Sequence, residues 1–345
     1  MLSYQKYYSG VDFMKLNPIF TSGMVFAANQ PIRIYGEGCG EAVVTFAGQA
    51  ENITAVDNKW LIEFPAMEYG GPYTLTLTCN DTKTVLEDIY IGEVYLFAGQ
   101  SNMQFKLKET ELDASEYKTN DKLRMFSTDR LEEGEPFNPR DGWIKCTKEN
   151  AKDWSAIGYL TSIELVERKN IAVGIITAYQ GASAIESWVP EGTFESFGTG
   201  VPPEQRHGDH YSDLCKKWNG DGALYNYVLS QIIPFSLTGV IWYQGESDTS
   251  LEESREYKNE LTAMINVWRK DFNNEKLPFV IIQIADFDLR DDEAWHNVQK
   301  AQLEIQNELD CIKTVISADI CESDNIHPPT KDKLSHRVAE ALLSF

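Results

Sequence analysis

The chain has 345 residues and a mass of 39.1 kDa, with a formal net charge of −22 and an isoelectric point near 4.6. This negative charge repels nucleic acids and anionic membrane surfaces, so we expect neither as a partner. No apolar stretch approaches the roughly 18 to 20 residues of a spanning helix, so we expect no membrane span. A chain of this length exceeds the size at which one hydrophobic core keeps growing, and two domains are therefore expected.

The start of the sequence and its cysteines bear on the compartment. The first ten residues contain no apolar core and no small-residue cleavage site. We therefore expect a cytoplasmic protein, or a secreted or periplasmic one if a signal was removed.

The six cysteines are sparse and have no C-x-x-C spacing, which predicts buried thiols. Cys39 and Cys79 are the one pair that we expect to be able to bridge. The oligomeric state is not predicted.

Residues 16–92 consist of short alternating apolar runs separated by Gly, Pro and Asn. Strands are predicted at residues 31–36, 42–48, 59–65 and 73–78. Strands at this spacing indicate a small all-β, sandwich-like domain, to which we assign residues 1–92.

After residue 92 the apolar runs alternate with long amphipathic segments. Strands are predicted at residues 94–98, 123–126, 171–177, 239–243, 279–285 and 312–318. Helices are predicted at residues 154–169, 253–270, 294–309 and 331–343. This βαβ pattern predicts an α/β domain over residues 93–345, with a central parallel sheet between two helical layers. Residues 186–222 have no clear periodicity. They are predicted to form a long irregular loop over one face of the domain, called here the excursion, as part of a binding site.

Residues suited to chemistry follow four of the predicted strands: Ser101, Gly181 in a turn, Gln244, and the pair Asp324 and His327. Ligands of an open parallel sheet bind outside the carboxyl ends of its strands, so we expect these residues to meet there. A hydroxyl, two glycine-containing turns and an Asp/His pair are the groups that acyl transfer requires.

Spacing alone does not identify the nucleophile. The pattern Gly-x-Ser occurs at Ser101, Ser183 and Ser247, in each case without the final glycine of a nucleophile elbow. A serine before a helix is also an ordinary N-cap, so all three serines stay open at this point.

The histidines are better constrained. His296 and His336 lie inside predicted helices, where packed or solvated roles are expected, whereas His207 and His210 lie in the excursion as loop or substrate contacts. Pro328 forces the preceding His327 out of helical geometry, so its side chain is predicted above the last strand, three residues after Asp324. No metal-binding spacing is present, so we expect no catalytic metal.

Three blocks around these residues resemble the signature blocks of the sialate O-acetylesterase family, within the SGNH hydrolases. They are residues 99–103, 242–247 and 324–328. The resemblance extends over almost the whole chain, including the approach to the serine at residues 88–94 and the segment 185–188. Related acetylxylan esterases share the three short blocks, so these blocks specify deacetylation better than they specify the sugar.

The resemblance implies a role for each matching residue. Ser101 would be the nucleophile, His327 the general base and Asp324 the residue that orients it. The oxyanion would be held by the backbone N–H groups of Ser101 and Gly181 and by the side-chain amide of Gln244, which stands where other SGNH enzymes use asparagine.

Other residues of the matching segments are expected to bind the substrate or to support the site: Gln100, Asn102, Tyr243, Glu246, Glu186 and Trp188. For Glu186 and Trp188 a buried supporting role is an equal alternative. The resemblance implies a cofactor-free serine carbohydrate O-acetylesterase acting on O-acetylated sialic acid. The alternatives are an esterase for acetylated xylan or another plant glycan, and an inert carbohydrate-binding protein.

Overall fold

The computed structural model describes residues 13–128, 142–206, 215–290 and 292–345. The strands within these ranges are β1 (Phe13–Leu16), β2 (Val25–Ala27), β3 (Ile32–Cys39), β4 (Glu41–Phe46), β5 (Gln49–Thr54), β6 (Lys59–Phe64), β7 (Gly70–Cys79), β8 (Thr82–Gly99), β9 (Asn120–Ser127), β10 (Ile144–Cys146), β11 (Val173–Tyr179), β12 (Gly239–Tyr243), β13 (Phe279–Ile282) and β14 (Ile312–Val315). The helices are α1 (Ser101–Gln104), α2 (Lys148–Ala151), α3 (Ala156–Lys169), α4 (Thr193–Ser196), α5 (Ala223–Tyr227), α6 (Leu251–Asp271), α7 (Glu293–Glu304) and α8 (Asp332–Leu343).

The N-terminal region is built of strands, as predicted. β3 pairs antiparallel with β1 and β6, while β4 pairs antiparallel with β5 and β7. Aromatic side chains fill the space between these layers: the Phe46 ring lies 5.5 Å from that of Phe26 and 6.0 Å from that of Phe64. Such ring pairs add edge-to-face attraction to the burial of apolar surface.

Strand β8 belongs to both parts of the molecule. Its first half pairs antiparallel with β7 and parallel with β2, and its second half pairs parallel with β11 and β12. The predicted boundary between residues 92 and 93 therefore lies inside one continuous strand. The division into residues 1–92 and 93–345 remains a prediction.

The central sheet has the order β10-β9-β11-β8-β12-β13-β14. Six of these strands run parallel, which confirms the predicted parallel sheet, and β10 pairs antiparallel with β9 at one edge. The three-residue strand β10 was not predicted because it is too short to show alternation.

Helices cover both faces of this sheet and confirm the three-layer α/β class. Alternate residues of one strand point to opposite faces. Phe97 of β8 packs in the same cluster as residues of α3 and α8, whereas its neighbour Leu96 packs in the cluster that contains α6 and α7. Leu261 and Trp268 of α6 are seven residues apart, so both face the core.

The β-region packs directly on the α/β region. The Phe26 ring stacks on that of Phe235 at 5.6 Å, and the guanidinium of Arg33 donates to the Phe272 carbonyl at 3.2 Å. Arg33 is only 8% exposed, so its hydrogen bonds satisfy a charge that would be costly to bury alone.

The long predicted excursion has short helical turns where it is described, including α4 and α5, and residues 207–214 lie outside the described ranges. Within the described ranges no helix is both long and apolar enough to cross a membrane. No disulfide joins Cys39 to Cys79.

Candidate active site

The site begins where three neighbouring strands end at one level. Gly99 of β8 lies opposite Tyr179 of β11 and Tyr243 of β12. Gly99 has a φ of +142°, and a Cβ atom at this position would lie 2.0 Å from the Tyr243 carbonyl oxygen. Only glycine fits this close approach, which turns the chain sharply after β8.

This turn places Ser101 at the first position of α1, at the carboxyl edge of the sheet. The preceding Gln100 backbone N–H donates to the Tyr243 carbonyl at 3.0 Å, which fixes the turn against β12. The Ser101 Oγ atom lies 2.8 Å from Nε2 of His327. This is the distance expected between a nucleophile and its general base.

His327 comes from the loop that follows β14, as Pro328 predicted. Its backbone N–H donates to Asn325 Oδ1 at 2.9 Å. Burial of the ring lowers the pKa of His327, and the positive charge of Lys331 lowers it further. A lowered pKa keeps the imidazole neutral, which is the form that accepts a proton from serine.

Asp324 is not brought into contact with His327. Its side chain is exposed, and within the described residues neither a hydrogen bond nor an ion pair joins it to the ring. The structure therefore unites Ser101 and His327 but leaves the third predicted residue in solvent, although all three lie at the same edge of the sheet.

Gly181 lies beside the nucleophile. A Cβ atom on Gly181 would be 3.7 Å from that of Ser101. The Gly181 backbone N–H donates to Oε1 of Gln104 at 3.1 Å, so a side-chain oxygen of α1 already occupies this donor. Within the described part of the chain, the Ser101 backbone N–H has no acceptor. The Ser101 N–H is thus available next to Oγ, whereas the Gly181 N–H becomes available only when Gln104 Oε1 is displaced.

The prediction for Gln244 is corrected by the structure. Its amide is fully buried, and its Nε2 donates to the Ser183 carbonyl at 2.9 Å and to the Asp248 carboxylate. Its Oε1 accepts from the Tyr257 hydroxyl at 3.0 Å. With both amide hydrogens used inside the protein, this side chain has none left for an oxyanion.

Several predicted residues take supporting positions. Oε1 of Gln100 accepts from the Gly245 backbone N–H at 3.3 Å, and Glu246 Oε1 accepts from Asn102 Nδ2 at 2.6 Å. Glu246 is buried, which raises the pKa of its carboxyl group. Tyr243 is completely buried, so it supports the site from below.

Trp188 and Glu186 fit the supporting alternative. Trp188 is fully buried, with its ring 5.7 Å from that of Trp242 and its Nε1 donating to Ser183 Oγ at 3.0 Å. Glu186 lies 3.2 Å from Nε of Arg206, and burial raises the pKa of Glu186 to about 7. Glu186 also borders a cleft of about 480 Å³ whose lining does not include Ser101.

The other histidines that the structure describes do not contribute to the site. His296 in α7 bonds to Gln299, and His336 in α8 contacts Glu164. His207 and His210 fall outside the described residues. Glu164, His336 and Glu340 lie close enough together to hold a metal ion, with Glu164 half-buried and the other two exposed, but Arg168 contacts both carboxylates.

Sequence reasoning missed three residues of the site: Gln104, Asp248 and Lys331. Gln104 ends the four-residue helix that Ser101 begins, and Asp248 follows the block that contains Gln244. Lys331 follows His327 by four residues and is completely buried. Its place as the first residue of the predicted last helix, residues 331–343, was the only signal for it.

The chain is similar to known proteins over most of its length. The family model described as "Carbohydrate esterase, sialic acid-specific acetylesterase" matches residues 91–344. Two curated proteins named sialate O-acetylesterase, from Pongo abelii and Homo sapiens, are 24% and 23% identical over alignments of 328 residues that cover 85% of this chain. The chain spans 62% of the length of each.

A solved structure agrees with the fold over nearly the whole chain. The crystal structure of a carbohydrate acetylesterase from Xanthomonas citri matches with a TM-score of 0.83 and 26% sequence identity. The match covers 95% of this chain and 74% of the other.

Proposed function

Because the chain belongs to the carbohydrate esterase family described as sialic acid-specific acetylesterases, we propose that it is a serine carbohydrate O-acetylesterase. The observation that supports this most directly is the 2.8 Å separation between Ser101 Oγ and His327 Nε2 at the carboxyl edge of the sheet. A hydroxyl paired with a neutral imidazole is the arrangement that activates serine for acyl transfer.

The proposed reaction has two halves. Ser101 Oγ attacks the carbonyl carbon of an acetyl ester while its proton passes to Nε2 of His327. The imidazolium then gives this proton to the departing sugar oxygen, which leaves an acetyl group on Ser101. Water, deprotonated by His327, attacks the acetyl carbon and releases acetate, and Ser101 regains its proton.

The negative oxygen of each tetrahedral intermediate is proposed to bind to backbone donors. The Ser101 N–H is one of them. The Gly181 N–H is the other, and here the oxyanion replaces Gln104 Oε1 as acceptor. Hydrogen bonds that form as the charge develops stabilise the transition state more than the ground state.

Asp324 is retained in the proposal as the residue that assists His327. Its place three residues before the histidine on the same loop supports this role. Its exposed carboxylate would have to turn toward the ring, because no bond joins the two within the described residues. We therefore propose that Asp324 contributes less to the rate than Ser101 and His327 do.

The proposed substrate is an O-acetylated sialic acid. The names of the curated relatives support this choice, whereas the name of the Xanthomonas citri protein specifies only a carbohydrate acetylesterase. Acetylated xylan and other plant glycans are therefore the comparison substrates.

One experiment tests activity and substrate together. Purified protein is assayed for acetate release from 4-nitrophenyl acetate, 9-O-acetylated sialic acid and acetylated xylo-oligosaccharides. We expect hydrolysis of the aryl ester and preference for the sialic acid, both lost in Ser101→Ala. Ser183→Ala is the matched control, because the Ser183 hydroxyl is buried and accepts from Nε1 of Trp188, away from His327. Equal activity of wild type and Ser101→Ala would refute the mechanism, and preference for xylo-oligosaccharides would refute the substrate.

A further inference from the structure

Lys331 is a buried cation behind the candidate site. It lies directly before α8, and its side chain has no exposed surface. Its Nζ donates to Asn102 Oδ1 at 2.8 Å and lies 5.0 Å and 5.4 Å from the ring centres of Phe105 and Tyr243. Two aromatic faces and one amide oxygen are favourable partners for an ammonium group removed from water.

Asn102, the partner of Lys331, connects three separate segments. Its Nδ2 donates to Glu246 Oε1 at 2.6 Å and to the Ile326 carbonyl at 2.9 Å. Asn102 directly follows Ser101, and Ile326 directly precedes His327. One amide therefore joins the nucleophile, the loop after β12 and the histidine loop, and Lys331 fixes its orientation by holding the Oδ1 side.

The groups around Lys331 determine its charge. Burial lowers the pKa of Lys331 to about 8, while the nearby Cys321, Glu246 and Glu322 act in the opposite direction. With a pKa near 8 the amine is mostly protonated at neutral pH. Lys331 therefore brings a positive charge to a site whose carboxylate, Glu246, is itself buried.

The charged groups facing His327 come from three elements. Lys331 at the start of α8 favours the neutral imidazole, and Glu109 from the turn after α1 favours the protonated one. Asp324 lies on the same loop as the ring but points to solvent, and Ser101 contributes its hydroxyl. Lys331 is thus the cation that opposes protonation of the base.

We propose that Lys331 is a positioning residue: by holding Asn102 it fixes the nucleophile Ser101 against the loop that carries His327. The proposal rests on the proposed function in that Ser101 and His327 carry the reaction. It extends the site to a residue that does not touch the substrate and acts from beneath it.

The test compares Lys331→Met with Lys333→Met. Methionine keeps an unbranched apolar side chain and removes the charge and the donor, and Lys333 is an exposed lysine two residues further along the same segment. The rate on 4-nitrophenyl acetate is measured against pH, and the imidazole of His327 is titrated by NMR after assignment with His327→Gln.

For Lys331→Met we expect kcat to fall by about 100-fold, the cost of a small misplacement of reacting groups. We also expect the acid limb of kcat/KM and the NMR titration of His327 to move to higher pH together. Lys333→Met should match the wild type in both. A folded Lys331→Met protein with unchanged kcat and an unchanged His327 titration would overturn the proposal.

Two further measurements keep the test decisive. If Lys331→Met does not fold by circular dichroism, Lys331→Gln keeps a donor for Asn102 without the charge, and the His327 titration should still move upward. The titration needs no turnover, so a protein inactive on every acetyl ester refutes the proposed function alone. If the protein is active but neither Lys331 variant changes kcat or the His327 titration, only the role of Lys331 is refuted.

Discussion

The side-chain amide of Gln244 donates a hydrogen bond to the carboxylate of Asp248, and both residues are completely buried. Asp248 also accepts from the Ile185 backbone N–H at 3.0 Å. This pair ties the end of β12 to the turn after β11, from which Gly181 comes. Gln244 therefore supports the site through the fold.

We expect Gln244→Ala to destabilise the protein, because it removes the amide donor of the buried Ser183 carbonyl and one of the donors of the buried Asp248 carboxylate, which keeps the Ile185 N–H. An unsatisfied buried polar group costs about 1–3 kcal/mol. Urea unfolding of Gln244→Ala, beside the exposed control Gln49→Ala, measures this cost. Unchanged unfolding with a selective loss of about 10² to 10³ in kcat would instead restore Gln244 as an oxyanion donor.

Asp324→Asn should reduce activity less than His327→Ala does. In the serine protease template, spoiling the orienting acid costs about 10⁴ in turnover. Because Asp324 does not bond to the ring in this structure, we expect a smaller loss. Kinetics on 4-nitrophenyl acetate, with Asp332→Asn as an exposed control, decide the order. A loss equal to that of His327→Ala would show that the carboxylate reaches the imidazole during the reaction.

Stability should depend on pH through Glu186. Burial raises the pKa of Glu186 from 4.5 to about 7 in the folded protein. Between these values the folded state keeps the proton and the unfolded state has lost it, so the free energy of unfolding falls as pH rises. Glu186 stabilises the fold fully below pH 4.5, and the contribution is lost above about pH 7.

The variant Glu186→Gln cannot ionise and should flatten this part of the pH profile. Chemical denaturation at several pH values between 4 and 8 measures the slope. Glu252→Gln, an exposed glutamate in the first turn of α6, is the control and should retain the wild-type slope. Identical profiles for wild type and Glu186→Gln would contradict the raised pKa.

A chain that begins at Asp88 should not fold. It loses Phe26, which stacks on Phe235, and Arg33, which donates to Phe272, so buried surface of the α/β region becomes exposed. We expect insoluble protein or a loose state without cooperative unfolding. This expectation is tested by gel filtration and thermal unfolding of the fragment, with the full chain as the reference. A soluble fragment with a sharp transition and full activity would show that the β-region is dispensable.

The sequence was sufficient for the sheet and for the Ser101 and His327 positions, because apolar runs fix the strands and the carboxyl ends of parallel strands converge. It was not sufficient for Gln244, since the direction of a side chain at a strand end depends on a single residue of register. The contact between Lys331 and Asn102 was beyond sequence reasoning for another reason. The two residues are 229 positions apart in the sequence, and no local pattern around residue 331 predicts that its lysine is buried.

Strand β8 makes unfolding of the two regions cooperative. The backbone of β8, from Thr82 to Gly99, forms hydrogen bonds first with the N-terminal strands and then with the central sheet. Unfolding of the N-terminal strands therefore weakens the part of β8 that leads to Ser101. The two halves should therefore behave as one cooperative unit in native-state hydrogen exchange, in which Ile91 and Leu96 exchange only when the whole protein opens. Activity and the integrity of the β-region would then disappear in the same transition.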